Sequence, residues 1–173
     1  MALSIEIFIL LILLGLSGFF SGAEVALISL TKYKVKHMVE QKKAGSKFVK
    51  KLTDNPSKML TIILIGNNVV NIGASAFATA VVINLFDSYA VAIATGIMTF
   101  FILIFGEITP KTIAVHNNEK FAQIAAPIIW YIGVILKPIV FVIEGFTKHF
   151  TRAIGIKAKK QHITEAEIIN IVD

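Results

Sequence analysis

Long apolar runs separated by short polar stretches organise this chain. The first, Ile7 to Leu30, is interrupted only by Ser, Gly, Ala and one acid, Glu24. A second runs from about Met59 to Leu85, and a third from Tyr89 to about Gly106, with Phe86-Asp87-Ser88 as the turn between them. A helix crosses a bilayer with about 20 apolar residues, so these three runs predict membrane spans over about 7–30, 59–85 and 89–106. Between the first two lies Thr31 to Asn55, where Val35, Met38 and Val39, then Phe48, Val49 and Leu52, recur near helical spacing among lysines. That pattern predicts an amphipathic pair of interfacial helices, broken at Gly45-Ser46, with a solvated loop of no specific role as the other reading. Asn55-Pro56-Ser57 closes the hairpin, because the residue before a proline leaves the helical region.

The fourth run, Phe121 to Phe146, is long enough to cross but is interrupted by Pro127, Gly133, Lys137 and Pro138 and carries Trp130 and Tyr131. Aromatic residues of this kind favour the membrane interface. Charge decides between the two readings. The 173 residues are 55% hydrophobic and 16% charged, with no cysteine and a net charge of +6. This excludes a disordered chain, a disulfide scaffold and a thiolate metal site. The charge sits in two basic patches. Lys32 to Lys58 holds nine lysines against Glu40 and Asp54, and Lys148 to Lys160 holds no acid. Both patches flank apolar runs, which points to membrane orientation and anionic lipid rather than nucleic acid. A fourth crossing would put the patches on opposite sides. The expectation is therefore an all-α membrane protein with three transmembrane helices, the N-terminus outside, a cytoplasmic helical hairpin and a juxtamembrane helix over about 121–146. No lysine or arginine precedes Lys32, so the first run does not read as a cleaved signal peptide. Residues 1–147 form the expected transmembrane domain and 148–173 a basic cytoplasmic connector. Thr164 and Glu167 make a capping box that opens a further helix, and a cytoplasmic domain is expected to follow it.

Charged and amide side chains are costly in a bilayer and usually face a cavity or a pathway. The sequence has three such clusters: Ser21 with Glu24; Asn67, Asn68 and Asn71 with Ser75; and Gly106-Glu107 with Thr109 and Pro110. At 1.5 Å rise per residue, Ser21 lies about 20 Å from the outer end of the first span, and Asn68 and Asn71 about 13–18 Å from the inner end of the second. Glu107 ends the third. All three clusters thus fall in the cytoplasmic half. They offer hydroxyl, amide and carboxylate oxygens. Pro110 adds a carbonyl, since it has no N–H for that of Gly106. Broken helices and oxygen ligands hold hard cations within membranes, and this donor set suits Mg2+, Ca2+ or Na+ and disfavours zinc. Competing roles exist for each cluster: Asn67 as interhelical glue, Ser21 as glue or ligand, and Glu107 as a partner of Lys111 four residues on. Gly18 and Gly22 form a small-xxx-small pair suited to close helix packing. No Ser–His or His–acid constellation lies within the spans, so no enzyme is expected.

Phe19-Phe20-Ser21-Gly22-Ala23-Glu24, Gly66-Asn67-Asn68-Val69-Val70-Asn71-Ile72 and Gly106-Glu107-Ile108-Thr109-Pro110-Lys111 together resemble the transmembrane domain of the CorC/CNNM (cyclin M) magnesium transport family. The resemblance covers nearly the whole chain. It implies a plasma-membrane, multi-pass homodimer with a cytoplasmic C-terminus, exporting Mg2+ as substrate, with Na+ entry as the drive. It also implies a following CBS-pair domain, through which alone ATP would act. By motif it points to Ser21, Asn71 and Glu107 as Mg2+ ligands, with Asn68 and the Gly106 carbonyl as further candidates. Glu24, Ser75 and Pro110 fall to Na+ or to a supporting role. Ala23 departs from a commoner serine at that position, so no hydroxyl acts there. The rival within the same family is a non-transporting anchor or Mg2+ sensor that regulates another transporter.

Overall fold

The computed structural model describes residues 3–85 and 88–153, and among them every regular element is a helix. Helix α1 (Leu3–Ile28) is followed by the short pair α2 (Lys32–Glu40) and α3 (Ser46–Thr53). Helix α4 (Pro56–Leu85) comes next, then α5 (Ser88–Phe101), which passes through a π-helical segment, Ile102–Ile108, directly into α6 (Thr109–His116). Helices α7 (Asn118–Ile135) and α8 (Lys137–Ala153) complete the order. Among the described residues three stretches are long and apolar enough to cross a membrane: Leu3–Ile28, Pro56–Ile83 and Val91–His116. The fourth apolar run is broken at Leu136 into α7 and α8, and counts as a span only if both halves are taken together. The turn at Phe86-Asp87, the basic residues from Lys157 to Lys160 and the Thr164–Glu167 capping box lie outside the described residues.

The chain divides into two compact units, Met1–Val140 and Phe141–Asp173. In the second, α8 exposes Phe141, Phe146 and Phe150, and the rings of Phe146 and Phe150 stack 6.2 Å apart.

The core of the first unit is built on α1. Phe20, Ala23, Ala26 and Leu27 are buried with Ile62 and Ile63 of α4, Ala114 of α6, and Ala122, Ala125, Ala126 and Ile129 of α7. Alanine and glycine at these positions let the helix axes approach closely. Gly66 of α4 lies beneath the Phe20 ring, so a side chain there would collide with it. A Cβ at Gly22 would meet the Phe121 ring at 2.5 Å, and one at Gly18 would meet Pro110 Cγ at 2.9 Å. The small-residue pair on α1 therefore serves two different neighbours. The opposite faces carry large apolar side chains with no protein cover, among them Phe8 (63% exposed), Ile72 (69%) and Phe100 (61%). Faces like these are stable against acyl chains rather than water.

The basic hairpin forms where the lysine-rich pattern predicts it. Thr31 caps α2 by accepting from the Lys34 N–H at 3.2 Å. Gly45, at φ +73°, adopts the left-handed conformation that starts α3, and the backbone carbonyl of Gln123 occupies the place where a side chain would go. Asn55-Pro56 ends one element and starts another: Asn55 Oδ1 accepts from the Lys58 N–H at 3.3 Å, and Pro56 is the first helical residue. Glu119 of α7 pairs with Lys43 at 3.3 Å and with Lys34 at 3.7 Å, drawing the hairpin onto the bundle.

Candidate ion site

The third apolar stretch does not stop at Gly106, as the sequence pattern suggests. It widens into π geometry over Ile102–Ile108 and continues as helix. Pro110 explains this locally. In an α-helix its ring would collide with the carbonyl four residues back, that of Gly106, and no N–H would serve that oxygen. The extra residue per turn relieves the clash, and the Thr109 N–H donates to the Ile104 carbonyl, five residues back. The expected break is a bulge within a continuous helix. The Gly106 carbonyl accepts instead from the Ser17 hydroxyl of α1, at 3.3 Å. Glycine at 106 permits this approach, since a Cβ there would meet Ser17 Oγ at 2.6 Å and displace the hydroxyl.

Three contacts fix how the helices are registered: Ser17 on Gly106, Gly18 against Pro110, and Phe20 on Gly66. They bring the serines of α1, the asparagines of α4 and the π segment to one level. There the Asn71 amide nitrogen donates to Glu107 Oε1 across the helices at 3.3 Å, and to Asn67 Oδ1 within α4 at 3.5 Å. Two buried side-chain oxygens among the described residues are left without a partner: Ser21 Oγ and Asn71 Oδ1. A buried polar atom left unpaired costs about 1–3 kcal/mol. Asn71 Oδ1 belongs to the side chain that reaches Glu107, and Ser21 lies one turn along α1 from Ser17, the serine bonded to Gly106.

The other candidates separate from this group. Asn68 is exposed, and its amide donates to the Leu64 carbonyl of its own helix at 2.8 Å, so its side chain is turned to the outer face of α4. Asn67 bonds within α4 rather than gluing helices together. Lys111 pairs with Glu24 at 3.4 Å, not with Glu107. The reason is register: α1 packed against α6 puts the Glu24 carboxylate nearer to Lys111 than a residue on the π segment, where one turn no longer spans four residues. Glu24 is thereby engaged by a cation. Ser75 is half-buried, about one turn beyond Asn71. Ser17 is a contributor that the polar clusters in the sequence did not single out. Its signal was present, since it lies four residues before Ser21 on the same face of α1. Among the described residues no three His, Asp or Glu side chains cluster, so the donor set is hydroxyl, amide and one carboxylate.

Comparison with known proteins agrees with these motifs. Residues 8–173 match the family model described as the cyclin M transmembrane N-terminal domain. A UPF0053 protein of Haemophilus influenzae is 42% identical over 172 residues, which is 98% of this chain and 41% of that protein. The UPF0053 inner membrane protein YfjD of Escherichia coli is 39% identical over 142 residues, 82% of this chain and 33% of its own length. A chloroplastic DUF21 domain-containing protein of Arabidopsis thaliana is 37% identical over 161 residues, 92% of this chain and 24% of its own. The chain thus spans about two-fifths or less of the length of these relatives.

Proposed function

The chain belongs to the cyclin M transmembrane domain family, and from that premise we propose that it exports Mg2+ from the cytoplasm in exchange for Na+, with Ser21, Asn71 and Glu107 as the ion's ligands. One observation carries the reading. Asn71 and Glu107 meet across two helices while Ser21 Oγ and Asn71 Oδ1 stay buried and unpartnered. Mg2+ prefers oxygen ligands and gives up its water reluctantly. A carboxylate supplies the attraction, and preset neutral oxygens replace part of the hydration shell. The Gly106 carbonyl, already bonded to Ser17, orients the π segment and keeps a second lone pair for the ion. Glu24, held by Lys111, acts at the mouth of the site, where breaking that pair admits Na+. Pro110 acts by maintaining the bulge, and Ser75 by lining the path beyond Asn71. Asn68, on the outer face of α4, is left without a ligand role.

In this reading the N-terminus is outside, the hairpin and C-terminus are cytoplasmic, the chain works as a homodimer in the plasma membrane, and a CBS-pair domain confers any response to ATP. The test is Mg2+ efflux from proteoliposomes with and without an opposing Na+ gradient. Glu107→Gln and Asn71→Ala should each lower flux by about tenfold or more, the scale of one lost charge-assisted contact. Equal flux in all three proteins overturns the site. Absent flux from the native chain, with Mg2+ binding that both substitutions abolish, establishes the sensor role instead.

A further inference from the structure

A cavity of about 250 Å3 opens where α3, the first turns of α4 and the end of α7 meet, within the first unit. It is separate in its residues from the ion site. Its lining is apolar where the buried Met59 and Ile62 meet Trp130, and Lys51, Lys58 and Lys137 also line it, forming what we take as its rim. Among the described residues no aspartate or glutamate lines it. Among the described residues Lys34, Lys36, Lys43, Lys50 and Lys111 each find a carboxylate, whereas the three rim lysines do not. Three like charges gathered around one opening repel one another unless an anion lies between them. Two features hold the walls in place. Lys51 Nζ sits 4.8 Å from the centre of the Trp130 ring. Gly133 packs so closely that a Cβ there would meet Ile62 Cδ1 at 2.5 Å.

The height of the cavity identifies the anion. Lys58 immediately precedes Met59, where the apolar stretch of α4 begins, and tryptophan and lysine together mark the headgroup level of a bilayer. By these markers the charged rim falls at headgroup level and the apolar floor toward acyl-chain depth. Free phosphate would satisfy the rim and leave the floor unused; a phospholipid uses both. We infer that this cavity binds one anionic phospholipid, its phosphate among Lys51, Lys58 and Lys137 and the start of an acyl chain on Met59, Ile62 and Trp130. The bound lipid ties the basic hairpin to the foot of α4, and the inference stands whether or not the chain transports Mg2+.

Trp130 is the only tryptophan in the chain, so its fluorescence reads the cavity directly. The chain is reconstituted in mixed phosphatidylcholine and phosphatidylglycerol vesicles, with dibrominated acyl chains on one lipid or the other. Brominated phosphatidylglycerol should quench Trp130 more strongly than brominated phosphatidylcholine at equal mole fraction. Each rim lysine replaced by glutamine should lower that preference by about fivefold. The triple variant K51Q/K58Q/K137Q should lose it, and the arginine triple K51R/K58R/K137R should retain it. K32Q/K36Q/K42Q, which removes the same charge outside the cavity, should leave it intact. Equal quenching by the two lipids in the native chain overturns the inference. So does an equal loss in the two glutamine triples, or relief of the quenching by inorganic phosphate.

Discussion

In the proposed site, Ser21 works against stability and for function. Its hydroxyl is fully buried and unpartnered, so in metal-free protein Ser21→Ala should leave thermal stability unchanged or raise it by about 1 kcal/mol. Under the proposed function Mg2+ should raise the unfolding temperature of the native protein, and the same substitution should abolish most of that rise. A fall of several degrees without the ion would instead mark the hydroxyl as a structural bond. Ser17, one turn away, plays the contrasting part. Its hydroxyl is spent on the Gly106 carbonyl at 3.3 Å, so it positions a backbone atom. Two serines on one face of α1 therefore differ in what they bond: Ser17 has the Gly106 carbonyl and Ser21 has no partner.

At the scale of an element, the π segment governs which way Glu107 points. Pro110 forces the extra residue into the turn, and each added residue rotates the rest of the helix by about 100°. Pro110→Ala restores an N–H and removes the ring clash, so the segment should relax toward α geometry and carry Glu107 away from Asn71. The expected result is at least about a tenfold loss of the proposed Mg2+ flux, with helical content by circular dichroism unchanged. Flux at the native level would mean that packing against α1, and not the proline, maintains the bulge. The close fit of Pro110 to Gly18 is the competing cause that this substitution separates.

At the scale of the whole molecule, the question is what fastens the basic hairpin to the bundle. Glu119 with Lys34 and Lys43 is the visible link, but each partner is about a third or more exposed, and such pairs contribute about 1 kcal/mol or less. Gly45 is the less obvious one. It combines a left-handed backbone with direct contact on Gln123. Steric fit should dominate. Gly45→Ala should destabilise the detergent-solubilised protein by about 2 kcal/mol or more. Glu119→Gln should cost less than half of that, and high salt should erase the cost. Thermal unfolding of both variants decides, and an equal loss would make the link electrostatic.

The sequence alone determined the elements and the chemistry on offer. Run lengths defined three apolar helices, the lysine pattern defined the hairpin, Asn55-Pro56 marked a helix boundary, and Ser21, Asn71 and Glu107 stood out as polar groups in apolar surroundings. Those features are local, since periodicity and capping act within a few residues of each other. Only the tertiary structure decided the pairings. It gave Lys111 to Glu24, turned Asn68 outward, brought in Ser17 across 89 residues of sequence, and converted an expected break at Pro110 into a π bulge. A helical period tells which residues share a face, but not what that face meets. That is set by the register between helices, here by Phe20 on Gly66 and Ser17 on Gly106, contacts between side chain and bare backbone that leave no periodic trace in the chain.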